Sequence, residues 1–117
     1  MIHYKTKYKK YNWEIEVFIV VKNVDVETIQ SVLEKMDCPL YDIHRSFRLL
    51  TEGENSGFTY TNTKYNKSVL VVNRSSSVEQ YINTYSHEKN HVEMHICEKY
   101  GIDPYSEEAA YLSGELA

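Results

Sequence analysis

From Ser77 to Gly101 the chain contains no proline and no internal glycine, so nothing in it interrupts a helix. Ser77 is a good residue to open such a helix and Gly101 a good one to end it. Val78, Ile82, Tyr85, Val92 and Ile96 recur at helical spacing and form the expected core stripe. At about 100° per residue, His87 and His91 lie roughly opposite Val78 and Ile96. One face of this element is therefore committed to a core, and another is left for something else.

That other face carries chemistry. His87-Glu88-Lys89-Asn90-His91 is an H-E-x-x-H motif. Residues four apart on a helix project from the same side one turn apart, so His87 and His91 can grip one metal ion. Glu88 sits beside them, where it can serve as a proton acceptor. Those are two ligands and the general base of a zinc hydrolase. Charge agrees with this. Residues 75–117 carry two lysines and eight acids, a net of −6 that favours a cation near the helices.

The rest of the chain reads as one α+β domain over residues 1–117, with a small, mainly antiparallel sheet. From Asn12 to Val21, Trp13, Ile15, Val17 and Ile19 alternate with Asn12, Glu14 and Glu16 before the run becomes wholly apolar, which predicts a strand with a deeply buried end. Asp25 predicts a helix N-cap, and Val26, Ile29, Val32, Leu33 and Met36 follow at helical spacing until Pro39. Leu40, Ile43, Phe47 and Leu50 predict a second helix. A turn cluster over residues 52–57 precedes two strands, Phe58 to Thr61 and Ser68 to Asn73, joined as a hairpin with turn chemistry from Asn62 and Asn66. Ser106 predicts the N-cap of a last helix, with Glu107 and Glu108 in its first turn and Ala109, Leu112 and Leu116 on its apolar side.

A catalytic zinc takes three protein ligands and a water. His95 continues the row His87, His91, but on a straight helix it lies about 6 Å beyond His91 along the axis. One ion does not easily take all three, and a surface or supporting role suits His95 better. Cys97 projects away from His91. The acids of the last helix are better placed, because residues 101–104 can fold that helix back against the long one. Glu107 shares a side with Ala110 and Gly114, which permit close helix approach, and is favoured over Glu108. Both acids also complement a helix N-terminus without binding a metal.

Ser86-His87-Glu88-Lys89-Asn90-His91, followed by Glu107-Glu108-Ala109-Ala110-Tyr111-Leu112-Ser113-Gly114, resembles the H-E-x-x-H … E-x-x-A-Y-L-x-G pattern of small zincin-like proteins, many of them phage- or prophage-encoded. Gly57 to Asn62 and Ser68 to Val72 resemble the strands that precede the motif in such proteins. The resemblance covers roughly residues 55–117. It implies a minimal gluzincin fold, with a small sheet, an active-site helix and a glutamate helix. It also implies Zn2+ held by His87, His91 and Glu107, with Glu88 as catalytic base in a metallopeptidase acting on a peptide or protein.

Other function classes are narrowed by composition. The net charge of −4 argues against nucleic acid as a partner. Lys5, Lys7, Lys9 and Lys10 make residues 1–10 locally basic, which reads as a solvated tail. No apolar run is long enough for a membrane span, and the stretch Ile15 to Val21 contains Glu16 and lacks the features of a secretory signal. Two isolated cysteines, Cys38 and Cys97, point to a reducing cytoplasm. Two alternatives to a peptidase stand. One is a non-peptidase zinc hydrolase such as a deformylase, although Cys38 lacks the glycine-rich surroundings of an upstream cysteine ligand. The other is a binding protein that keeps the zincin scaffold with little catalysis.

Overall fold

The structure, a computed structural model, describes residues 1–115. Four strands, β1 (Ile2–Tyr8), β2 (Trp13–Ile19), β3 (Gly57–Asn62) and β4 (Lys67–Val72), form one sheet in the order β1-β2-β4-β3. Four α-helices accompany it: α1 (Val26–Lys35), α2 (Leu40–Glu52), α3 (Val78–Tyr100) and α4 (Glu107–Glu115). The α+β class and the long histidine helix are as expected. β1 pairs with β2 and β3 with β4 antiparallel, whereas β2 and β4 run parallel. The parallel pair needs a long crossover, which α1, α2 and β3, lying between β2 and β4 in the chain, supply.

Each face of the sheet carries its own core. Trp13, Ile15, Val17, Leu70 and Val72 pack with Val92 and Ile96 of α3 and Leu112 of α4. Phe18, Val69 and Val71 pack with Ile29 and Leu33 of α1 and Ile43 and Leu50 of α2. The central strands β2 and β4 are therefore covered on both faces. This is why Phe18 to Val20 and Val69 to Val72 read as continuous apolar runs rather than alternation.

Local signals account for most boundaries. Asp25 accepts a hydrogen bond from the Thr28 amide at 3.0 Å, and Ser77 from the Gln80 amide at 3.1 Å. Ser106 likewise caps α4 through the Ala109 amide at 3.2 Å. Gly101 ends α3 at φ +64°, a left-handed conformation that a Cβ disfavours. In the β3–β4 turn, Asn62 accepts from the Lys64 amide and Asn66 takes φ +50°.

Three expectations are corrected or bounded. Residues 2–8 are not a solvated tail but the edge strand β1, in which Lys5 and Lys7 lie opposite Glu16 and Glu14. The local positive charge is matched across the strand pair, so it reads as excess only in one dimension. Val78 and Ile82 are exposed, because the start of α3 packs on the core through Tyr81 and Tyr85 instead; the buried residues of the helix are Thr84, Glu88, Val92, Glu93, Ile96 and Cys97. Leu116 lies outside the described residues.

Candidate active site

β3 is the last strand of the sheet, and α3 crosses its inner face. Strand alternation turns Phe58 and Tyr60 toward the core under α1 and α2, and Gly57, Thr59 and Thr61 toward α3. Gly57 sets how close the two elements come. A Cβ there would lie 2.6 Å from the Val71 carbonyl oxygen, 2.9 Å from Thr84 Cγ2 and 3.0 Å from Glu88 Cγ. Only a residue without a side chain admits this approach.

The approach buries Glu88. Its side chain is 5% exposed, and Oε1 lies 2.9 Å from the Thr59 hydroxyl, which also lies 3.2 Å from the Glu88 carbonyl oxygen. A buried carboxylate needs such a partner, because stripping its hydration without replacement is costly. On the same helix, His87 and His91 turn their Nε2 atoms toward each other at 3.1 Å, with their rings perpendicular. Two nitrogens bound to one zinc at about 2.1 Å and a near-tetrahedral angle would stand roughly 3.4 Å apart. The pair therefore fits a shared ion with a few tenths of an ångström of adjustment.

The expected third ligand is not brought to them. Among the described residues, no group of three or more His, Cys, Asp or Glu side chains is gathered to hold a metal ion. Glu107 is exposed and lines a hollow with Lys10, Tyr11, Glu108, Tyr111 and Leu112. Its neighbour Glu108 accepts hydrogen bonds from Lys10 at 3.1 Å and Tyr11 at 2.6 Å, and these hold its carboxyl below the usual range. The first turn of α4 is thus tied to the segment after β1. Ala109, Ala110 and Ser113 of α4 line a hollow with Asn90, Glu93, Met94 and Cys97 of α3, while Leu112 packs in the core with Val92 and Ile96. Near the other end of α4, Lys89 donates to the Ser113 carbonyl oxygen at 2.7 Å and pairs with Glu93 at 2.9 Å. Asn90 and Met94 stand between that contact and the histidine side. A three-residue pattern in sequence cannot encode this rotation of α4.

Beyond the histidines, His95 Nδ1 lies 2.7 Å from the Thr61 hydroxyl. His95 also borders a 240 Å³ cleft that wraps the outer edge of β3, with Leu33, Arg45, Leu49 and Phe58 on its far walls. The cysteines take no part in the histidine site. Cys38 and Cys97 are free, buried, and belong to opposite faces of the sheet. Burial, reinforced by Asp42, pushes the Cys38 thiol up to about 11. Sequence reasoning missed Gly57, Thr59 and Thr61. Their signal was the alternation of Phe58 and Tyr60 with small or hydroxyl residues, which marks a face but not what covers it.

Comparison of the chain with family models, curated proteins and solved structures finds no match. No helix among the described residues is long and apolar enough to cross a membrane.

Proposed function

We propose that this chain is a zinc-dependent peptidase of the small zincin-like kind, working in the reducing cytoplasm. The observation that carries the reading is the pair of imidazole Nε2 atoms 3.1 Å apart, on a helix whose intervening Glu88 is buried and held by a threonine. His87 and His91 would hold the ion. When bound, it supplies a Lewis acid that polarises a carbonyl and acidifies water. Glu88 accepts a proton from the attacking water and returns it to the leaving amine. Thr59 keeps that carboxylate in one orientation.

The sheet edges support a peptide as substrate. Edge β1 carries Lys5 and Lys7, which discourage strand addition, whereas β3 has no charged residue from Gly57 to Asn62. A peptide added along β3 would lie in the cleft bordered by His95 and have its backbone held by ladder hydrogen bonds.

A second reading, a zincin scaffold that binds a partner without catalysis, is favoured by the position of Glu107 outside the histidine site. Metal content of the purified protein, zinc titration by calorimetry and hydrolysis of a peptide library separate the two. One zinc per chain, lost in His87→Ala, with cleavage abolished in Glu88→Gln, supports the peptidase. Zinc binding with no cleavage of any peptide supports the scaffold. Failure to bind zinc at micromolar concentration removes the peptidase and leaves a metal-free scaffold that binds a partner.

A further inference from the structure

A continuous chain of hydrogen bonds runs from the core to His95. Trp13 Nε1 lies 3.0 Å from Ser68 Oγ, Ser68 Oγ 2.7 Å from Thr61 Oγ1, and Thr61 Oγ1 2.7 Å from His95 Nδ1. Its direction follows from the first member. An indole nitrogen only donates, so Ser68 accepts from Trp13. Ser68 is fully buried, and among its side-chain bonds only Thr61 remains to take its hydrogen. Thr61 then accepts from Ser68 and donates its own hydrogen to Nδ1. The opposite arrangement, with Nδ1 donating, would leave the hydrogen of the half-buried Thr61 or of the buried Ser68 without a protein acceptor, which costs up to about 1–3 kcal/mol.

We propose that this chain holds His95 as a neutral imidazole with its proton on Nε2. His95 is then a hydrogen-bond donor to an acceptor oxygen in the cleft along β3, such as a peptide carbonyl, and is not a third metal ligand. Nδ1 is occupied by Thr61, and Nε2 has no free lone pair for a metal. Burial, with His91 acting in the same direction against Glu98, lowers the pKa of His95 and agrees with a neutral ring. The tautomer assignment stands without the peptidase reading. The exclusion from the metal site rests on that reading.

Long-range ¹⁵N–¹H NMR of the full chain, recorded without and with one equivalent of zinc, tests both parts. Without zinc, His95 should show a protonated Nε2 and an unprotonated Nδ1. Thr61→Val should lose that preference and Thr61→Ser retain it. With zinc, the His87 and His91 nitrogens should shift by tens of parts per million while the His95 pattern persists. A proton on Nδ1, or on both nitrogens at neutral pH, overturns the assignment. Loss of the Nε2 proton on adding zinc overturns it as well and makes His95 the missing ligand. If zinc moves no histidine, the metal reading of the protein fails, while the tautomer result still decides the state of His95.

Discussion

Thr59 and Glu88 are 29 residues apart in sequence, yet the threonine hydroxyl lies 2.9 Å from the glutamate carboxylate across the β3–α3 contact. The glutamate of the H-E-x-x-H motif is thus positioned by a strand that lies outside the motif. Removing the hydroxyl leaves a buried carboxylate under-satisfied. Thr59→Val should therefore lower unfolding free energy by about 1–3 kcal/mol, and Thr59→Ser by much less. Urea denaturation of the three proteins measures this. Equal stabilities would show that solvent already satisfies Glu88.

Gly57→Ala should destabilise by about 1–3 kcal/mol, the usual range for overpacking. The added Cβ would meet a backbone oxygen at 2.6 Å as well as the Thr84 and Glu88 side chains. Shortening Thr84 to alanine in the same chain should recover only part of the loss, because the Val71 carbonyl cannot withdraw. Thermal melts of the single and double variants read out both effects, and full recovery in the double variant would place the clash on Thr84 alone.

Lys89→Met should loosen α4. Lys89 joins Glu93 of its own helix to the Ser113 carbonyl of α4, with both charged side chains largely buried. Breaking such a pair from one side strands the other charge and costs about 3–5 kcal/mol. Hydrogen exchange should accelerate in α4 before α3. Uniform acceleration across the domain would mean that Lys89 supports the whole core rather than the docking of α4.

Stability should fall in acid through Glu16. Burial on its own would raise this carboxyl, but hydrogen bonds from Lys67 and His3 outweigh it and hold the group below its ordinary value. A carboxyl depressed in the folded state contributes stability that is fully present above its unfolded value and is lost as pH falls through the folded one. The urea midpoint should decline below the ordinary glutamate range, and Lys67→Met should flatten that decline. An unchanged pH profile in the variant would assign the acid sensitivity to other carboxyls.

What the sequence determined by itself is local. Hydrogen-bonding caps at Asp25, Ser77 and Ser106, the left-handed stop at Gly101 and the asparagine turn between β3 and β4 depend on neighbours within four residues, so the element boundaries were legible. The pairing of His87 with His91 was legible for the same reason, since helical geometry alone brings residues four apart together.

The tertiary structure decided everything that required two distant segments to meet. β1 looked like a charged tail because its partners, Glu14 and Glu16, become visible only once the strands pair. Thr59 and Gly57 acquire a role only when α3 crosses β3. The place of Glu107 depended on the rotation of α4 about its own axis. That rotation is set by Tyr11 and Lys10 holding Glu108, and by Lys89 holding Ser113, rather than by the spacing of glutamates along the helix. Spacing specifies which residues share a side of one helix; the contacts made by the rest of the chain decide where that side faces.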